Sequence, residues 1–290
     1  MELFVSVVLT GAMVGSVYAL VGLAVGFLYR STGLLNLAFG EFLMLGALMT
    51  YTAKVNWGWP LLPAAIVGVA AGAAANAFID VALVRRMRTP DPLRIAVMTF
   101  GAALIIRGIA RMVWGTDIYS LPTFPGVPTT ISVIYDRAIL QGQALYVFGA
   151  LIIVSLAIYL YETRTRIGWM MRAVGADSPM ATTLGIPAGV IVVSAFAIAG
   201  GMAALVGVVT TPIFFMTTGG GTLLGLKGLV AAVVGGFDVR FGAVAGGLML
   251  GFLEQGSGAY VGAALQDISV FLLLIAVLLF KPQGFLARST

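Results

Sequence analysis

Long apolar segments separated by short polar stretches run through the whole chain. A helix needs about 20 apolar residues to cross the hydrocarbon core of a membrane, and most of these segments reach or approach that length. They lie at residues 4–29, 37–53, 60–84, 95–114, 144–162, 189–211, 222–237, 242–257 and 266–281. The pattern predicts an all-α, polytopic membrane protein with about eight to ten membrane-embedded helices.

Three of these segments, 37–53, 222–237 and 242–257, are short, and a Gly-Gly-Phe-Asp turn at 235–238 separates the last two. Short helices interrupted by glycine are tolerated in membranes where their backbone faces a cavity or packed protein. We therefore expect broken or re-entrant helices at these places.

The composition narrows the possible chemistry. Hydrophobic residues make up 60% of the 290 positions and charged residues 9%, which excludes a soluble enzyme, since soluble domains carry about 25% charged residues. The chain has no Cys and no His, which excludes disulfides, thiolate or imidazole metal sites and His proton relays. Gly11, Gly15, Gly22 and Gly26 form one stripe on the first segment and predict close helix packing within the chain rather than a dimer seam.

The basic residues are distributed unevenly between the two sides of the predicted membrane protein. The first segment follows no basic region and continues to Tyr29, so we expect a retained span. If the 85–94 loop is cytoplasmic, the N-terminus lies outside and alternation puts eleven basic residues in the cytoplasm: Arg30, Arg85, Arg86, Arg88, Arg94, Arg164, Arg166, Arg172, Arg240, Lys281 and Arg288. Lys54 and Arg137 fall outside. The excess of positive charge predicts a cytoplasmic C-terminus, and the net charge of +5 does not by itself indicate a nucleic-acid partner.

Two connecting segments are long enough to have structure of their own, within what we expect to be one transmembrane domain over residues 1–290. Residues 115–143 contain three prolines and short apolar alternations, and predict an extracytoplasmic loop with a small hairpin. Residues 163–189 predict two short cytoplasmic helices, because Asp177 and Ser178 before Pro179 are typical of a helix start.

Ionisable residues inside membrane segments are expensive, which makes them the best functional candidates. Arg107 and Arg111 lie near the outer end of their segment, and we expect them to snorkel towards the membrane surface. Asp80 is close to Arg85 and is expected to pair with it. Lys227 needs a carboxylate partner, for which Glu41 and Glu254 are the candidates. The remaining residue of this kind is Asp267.

Asn36 and Glu41 lie in the polar stretch that opens the second segment. Two interpretations remain open for them: they line a polar path, or they cap a broken helix. Elsewhere we find no catalytic constellation and expect no metal or cofactor. The Gly-rich run 220–227 is not a phosphate-binding loop, because Leu226 precedes Lys227 and Gly228 follows it.

Four stretches resemble the permease subunits of ABC importers of the branched-chain amino acid (hydrophobic amino acid uptake) family. They are Gly33–Phe42; Leu93–Gly101; Thr165–Ile186; and Gly228–Gly236, closed by Lys281–Phe285. The third is the most specific of them, because it is similar to the cytoplasmic coupling loop of that family. The resemblance covers essentially the whole chain.

This resemblance implies two permease subunits, identical or homologous, in the inner membrane, with two cytoplasmic ATP-binding subunits below and a substrate-binding protein above. It gives the docking and coupling role to Arg166, Gly168, Arg172, Ala173, Gly175, Asp177, Leu184 and Gly185. It gives the translocation path to Asn36, Phe39, Glu41, Thr99 and Lys227. ATP hydrolysis then belongs to the partner subunits, so the chain itself is not expected to be an enzyme.

Two positions depart from the family pattern, and several alternatives remain open. Phe39 replaces a polar residue and favours an apolar or aromatic substrate, and Asp238-Val239-Arg240 replaces a small, Ser-rich turn. Members of the same family carry urea, short amides or aromatic acids. A stand-alone secondary carrier has little support, because the spans contain few acids and no His. An integral-membrane enzyme lacks a clustered catalytic set, and the 163–189 loop has the alternative of lying on the membrane surface.

Overall fold

A helix occupies each of the nine predicted apolar segments. In a computed structural model that describes residues 2–87, 91–134 and 138–286, they begin and end within a few residues of the predicted bounds. The helices are α1 (Glu2–Thr32), α2 (Phe39–Tyr51), α3 (Leu61–Ala82), α4 (Pro92–Trp114), α5 (Ala144–Arg164), α6 (Arg166–Ala176), α7 (Ser178–Thr183), α8 (Ala188–Phe214), α9 (Gly221–Gly235), α10 (Gly242–Tyr260) and α11 (Gln266–Phe280). The all-α, polytopic architecture is confirmed. Arg88, Arg137 and Arg288 of the predicted charge distribution lie outside the described residues.

Helices long and apolar enough to cross a membrane account for most of the described chain. By length and composition there are six among the described residues: Leu3–Thr32, Leu61–Arg86, Leu93–Trp114, Ala144–Arg164, Ala188–Phe214 and Ala263–Phe280. Helices α2 and α9 are shorter, at 13 and 15 residues. Each follows a non-helical stretch, residues 33–38 before α2 and 215–220 before α9. Each of the two short helices therefore begins directly after an interruption of helical structure.

Small residues allow the helices to pack closely. A Cβ on Gly15 would lie 2.8 Å from Leu248 Cα of α10, and one on Gly22 would lie 3.0 Å from the carbonyl oxygen of Gly228 in α9. The glycine stripe of α1 thus faces helices of the same chain, as predicted. Apolar side chains gain little by leaving a lipid environment, so such close van der Waals packing is what holds helices together in a membrane.

The predicted hairpin is present in the loop between α4 and α5. Strands β1 (Thr130–Ile134) and β2 (Ala138–Gln141) pair antiparallel with an irregularity between Ser132 and Ile134. A second contact ties the beginning of the same loop to the break before α9, where Tyr119 and Met216 exchange two backbone hydrogen bonds of 2.8 Å. The loop is therefore attached to the transmembrane helices at the non-helical stretch that precedes α9.

Candidate functional site

The non-helical stretch before α2 is held by side chains from neighbouring helices. Asn36 Nδ2 donates to Asn76 Oδ1 of α3 at 2.7 Å, and Asn76 Nδ2 donates to the carbonyl oxygen of Phe196 in α8 at 2.7 Å. Thr99 Oγ1 of α4 accepts from the backbone N–H of Leu37 at 3.1 Å. Irregular backbone inside a membrane protein needs such partners, because no water satisfies its N–H and C=O groups.

This stretch lies well inside the helix bundle. Asn76 precedes the end of α3 by six residues, and Thr99 follows the start of α4 by seven. At the helical rise per residue, both positions are about 10 Å from their helix ends. Asn36 Oδ1 also accepts from the backbone N–H of Ala38 at 2.8 Å, just before α2 begins. Asn36 thus stabilises the turn that leads into α2, whose N-cap position is Ala38 and has no side-chain cap. The two interpretations that its sequence left open therefore both remain.

Helices α2 and α9 cross next to this stretch through glycines. A Cβ on Gly40 would overlap the carbonyl group of Gly221, and a Cβ on Gly225 would overlap Gly40. The close approach brings Thr222 of α9 to Glu41 of α2, and Thr222 Oγ1 donates to Glu41 Oε1 at 2.9 Å. The first turns of the two short helices thus form one joint.

An ion pair lies at this joint. Arg107 Nη2 of α4 is 2.5 Å from both Glu41 Oε1 and Thr222 Oγ1. The Glu41 side chain is 2% exposed and the Arg107 side chain 21%. The expectation that Arg107 snorkels to the membrane surface is therefore wrong, because its guanidinium is drawn to the buried carboxylate.

A small cavity adjoins the same joint. It has a volume of about 160 Å³, and its walls come from α1, the stretch before α2, the first residue of α2, α4 and α9. The lining residues are Val25, Asn36, Leu37, Phe39, Phe100, Thr222, Gly225, Leu226 and Leu229. Asn36 and Phe39, both predicted for the translocation path, line this cavity, and Thr99 and Glu41 contact its walls through Leu37 and Thr222.

Lys227, the fifth residue predicted for the path, belongs to a different cluster. Its Nζ donates to Glu254 Oε1 of α10 at 2.8 Å and to Asp267 Oδ1 of α11 at 2.6 Å. Tyr18 of α1 donates to Glu254 Oε2 at 2.8 Å and lies 3.3 Å from Lys227 Nζ. Of the two partners predicted for Lys227, Glu254 is confirmed and Glu41 is wrong. Lys227 comes five positions after Thr222 in α9, so the two side chains point about 140° apart around the helix axis.

The predicted coupling loop forms two short helices, α6 and α7, joined at Asp177. Asp177 Oδ1 accepts from the backbone N–H of Met180 at 2.9 Å, so this side chain caps α7, as its position before Ser178 and Pro179 predicts. Gly175 packs against the end of α1, where a Cβ would overlap the carbonyl oxygen of Arg30. Gly185 ends the loop with a φ of 82°, a conformation that glycine adopts without strain.

The remaining predicted coupling residues divide between a packed and an exposed face. Gly168 is buried, and a Cβ there would overlap the carbonyl oxygen of Tyr161 in α5. Arg166 and Leu184 are exposed, and Ala173 packs partly buried against the core. The guanidinium of Arg172 lies over the ring of Trp169, 5.6 Å from its centroid. The loop therefore presents Arg172, Trp169 and Leu184 outward.

A three-residue ion cluster joins the transmembrane helices beneath α6. Glu162 of α5 accepts from Arg30 Nη2 of α1 at 3.2 Å and from Arg240 Nε at 2.6 Å. Together with Gly168 and Arg172 of α6, these residues line a cavity of about 180 Å³. The sequence reading missed Glu162, although a carboxylate in the last turn of a membrane segment, opposite basic residues, was a usable signal. Asp80 pairs with Arg85 at 3.0 Å, as predicted.

Comparison with known proteins identifies the family. Residues 7–278 match the family described as branched-chain amino acid transport system / permease component. The high-affinity branched-chain amino acid transport system permease protein LivH of Escherichia coli (strain K12) is 29% identical to this chain, over 98% of the chain and 96% of LivH. BraD, a permease protein of the same description from Pseudomonas aeruginosa, is 28% identical over 96% of the chain and 94% of BraD.

A solved structure has a similar fold. PsaBC from Streptococcus pneumoniae in complex with Fab superposes with a TM-score of 0.52 at 13% sequence identity, covering 94% of this chain and 91% of that one. At such low identity the likeness concerns the fold alone. The match to the family, which extends over nearly all of the helices described above, is the stronger finding. The chain belongs to the family of branched-chain amino acid transport system permease components.

Proposed function

We propose that this chain is the membrane-spanning subunit of an ATP-driven importer that carries branched-chain amino acids delivered by a binding protein. Family membership and relatives described as branched-chain amino acid permeases support the substrate class. The chain is a multi-pass inner-membrane protein. Structurally, the observation that carries the proposal is the pair of helices α6 and α7, which is packed firmly on one side and exposed on the other.

The exposed side of α6 and α7 has the composition of a docking surface. Trp169, Met180 and Leu184 are 62%, 61% and 73% exposed. The opposite side buries Gly168, Met171 and Val174 against α1 and α5. Large apolar side chains on a rigid element are typical anchors of protein interfaces. We infer that the ATP-binding subunit covers this surface.

The docking surface has a direct connection to the membrane helices. Gly175 of α6 touches the end of α1, and the Glu162 cluster links α1, α5 and the segment before α10. A push on α6 therefore acts on helices that also border the cavity, since Val25 of α1 lines it. This chain of contacts is the route by which closure of the ATP-binding subunits reaches the path.

The same arrangement supports a topology and a set of partners. Arg30, Glu162 and Arg240 meet, so the ends of α1 and α5 and the start of α10 share the side that carries α6 and α7. We assign this side, and with it the C-terminus, to the cytoplasm, in agreement with its basic residues. A second permease subunit and an extracytoplasmic binding protein complete the importer. Asn36, Phe39, Glu41 and Thr99 belong to the path.

Docking is tested by an exposed side chain that the fold does not need. Leu184→Asp places a charge on the docking surface, and Leu184→Met is the matched control that keeps it apolar. We expect Leu184→Asp to lose co-purification with the ATP-binding subunits and ATP-driven uptake of labelled leucine in proteoliposomes. Leu184→Met keeps both, and both variants retain the monodisperse elution of the folded membrane subunit.

The alternatives give different results in the same assay. Unchanged co-purification of Leu184→Asp would mean that α6 and α7 lie on the membrane surface instead of docking. Leucine uptake by this chain alone without ATP would indicate a secondary carrier. Competition by urea, short amides or aromatic acids in place of valine and isoleucine would move the substrate to another class carried within the family.

A further inference from the structure

Two polar atoms of the Glu41–Arg107 pair have no hydrogen-bond partner among the described residues. Glu41 Oε1 receives both Arg107 Nη2 and Thr222 Oγ1. Glu41 Oε2 and Arg107 Nε are both buried, and neither has a hydrogen-bond partner within residues 2–87, 91–134 and 138–286. A buried carboxylate oxygen or guanidinium N–H without a partner is costly, and each such atom in a folded protein requires an explanation. Here an unused acceptor and an unused donor belong to the same ion pair.

The pair adjoins the cavity described above through one residue, Thr222, whereas Glu41 and Arg107 are not themselves among the lining residues. Thr222, which bonds both members of the pair, is itself part of the cavity wall. Apart from Asn36, the rest of the lining is apolar, with Phe39 and Phe100 as its largest side chains. The structure thus places an ion pair with unused polar atoms one side chain, that of Thr222, away from an apolar space of about 160 Å³.

We propose that Glu41 and Arg107 recognise the two charged groups of a zwitterionic amino acid inside the membrane. The ammonium group of the substrate binds Glu41 Oε2, its carboxylate binds the Arg107 guanidinium, and its apolar side chain occupies the cavity. This inference rests on the proposed function and adds to it a recognition site in the permease itself, in addition to selection by the binding protein.

The charges favour a zwitterion over other solutes. A simple anion would meet the Glu41 carboxylate, and a simple cation would meet the Arg107 guanidinium, each without a compensating contact. A small neutral amide could bond both groups but would leave the apolar walls unfilled. A zwitterion with an apolar side chain satisfies the acceptor, the donor and the cavity together, and it leaves the net charge of the site at zero.

The test measures binding to the intact importer complex in nanodiscs, without the binding protein, in the nucleotide-free and vanadate-trapped states. The probes are leucine, 3-methylbutylamine, which lacks the carboxylate, and 4-methylpentanoate, which lacks the ammonium group. We expect the wild-type complex to bind each analogue about tenfold to a hundredfold more weakly than leucine, because each has lost a charge-assisted hydrogen bond.

Two variants are expected to change the order in which the complex prefers the three probes, a result that misfolding cannot produce. Glu41→Gln removes the negative charge, so it binds 4-methylpentanoate as well as or better than leucine. Arg107→Gln does the same for 3-methylbutylamine. Arg111→Gln is the matched control, since it removes an exposed arginine one helical turn away from Arg107, and it leaves all three affinities unchanged.

Transport separates this inference from the proposed function. If the wild-type complex with its binding protein takes up no leucine, the proposed function fails. If it takes up leucine and Glu41→Gln does so equally well, the zwitterion site alone is refuted. The inference is likewise overturned if wild-type complex binds no leucine in either nucleotide state, or if Glu41→Gln and Arg107→Gln keep the wild-type order of the three probes.

Discussion

Two buried ion clusters of this protein differ in how completely their polar atoms are used. Around Lys227, the ammonium group meets Glu254, Asp267 and Tyr18, and the second oxygen of Glu254 accepts from Tyr18. Every buried side-chain polar atom of this cluster has a partner among the described residues. In the Glu41–Arg107 pair, by contrast, Glu41 Oε2 and Arg107 Nε have no hydrogen-bond partner among the described residues.

We interpret this difference as one between a structural role and the binding role proposed above. A fully satisfied polar network fixes one arrangement of the helices that contribute to it, and the Lys227 cluster connects α1, α9, α10 and α11 in this way. A partly satisfied pair keeps hydrogen-bond donors and acceptors that a ligand can use. Both clusters are expensive charges in a membrane segment, so burial of charge by itself does not distinguish them. Unused buried atoms alone do not indicate a binding role either, since Arg30 Nε and Asp80 Oδ1 also lack a partner among the described residues. The Glu41–Arg107 pair differs in that it leaves both an acceptor and a donor unused, and in that Thr222 connects it to a cavity.

The largest expected effect is on stability, from Lys227→Met. The substitution leaves the Glu254 carboxylate, which is 6% exposed, without its cation. Removal of one partner of a buried ion pair costs about 3–5 kcal/mol, so we expect a large loss of folded protein and a lower melting temperature of the complex. Thermal unfolding followed by size-exclusion chromatography measures it.

A double variant serves as the control for this prediction. Lys227→Met with Glu254→Gln removes both buried charges and should recover much of the stability, because the charge that remains, on Asp267, is exposed. If Lys227→Met melted like the wild type and yet lost transport, the comparison would break, and Lys227 would belong to the translocation path after all.

A smaller effect is expected where the path is framed by neutral hydrogen bonds. Thr99→Val preserves the shape of the side chain but leaves the backbone N–H of Leu37 without its acceptor. A fully buried donor left unsatisfied costs about 1–3 kcal/mol, and this bond is only partly buried, so we expect a loss near the lower end of that range. The same unfolding measurement, together with leucine uptake, should show a moderate loss of both, since the stretch before α2 also carries Asn36 and leads directly into Phe39. Thr99→Ser retains the hydroxyl and should behave like the wild type; equal loss in both variants would show that packing, not the hydrogen bond, matters.

The helices could be predicted from sequence, because long apolar runs and a few cap residues determine them locally. The segment predicted at 222–237 is the helix Gly221–Gly235, and Asp177 begins α7 where its sequence indicates a start. Even the breaks were visible, since α2 and α9 are too short to cross a membrane and are bordered by glycine or polar residues.

The pairing of charges could not be predicted in the same way. Arg107 and Glu41 are 66 residues apart, and their contact depends on how α2, α4 and α9 cross, which no local pattern encodes. Near the membrane boundary, snorkelling was a reasonable alternative for an arginine. A signal was nevertheless available for Asn76, a polar residue within a run of alanines and glycine, which the structure places against Asn36.

The smallest expected effect comes from the open side of the Lys227 cluster. Asp267 lies 2.6 Å from Lys227 Nζ, but its side chain is 58% exposed, whereas that of Glu254 is buried. Water and ions screen an exposed carboxylate, and such pairs are worth about 0–1 kcal/mol. Asp267→Asn should therefore shift the melting temperature only slightly, and less at high salt than at low salt. A loss as large as that of Lys227→Met would mean that lipid or a neighbouring subunit covers Asp267 in the membrane, since only a desolvated carboxylate can matter that much to its partner.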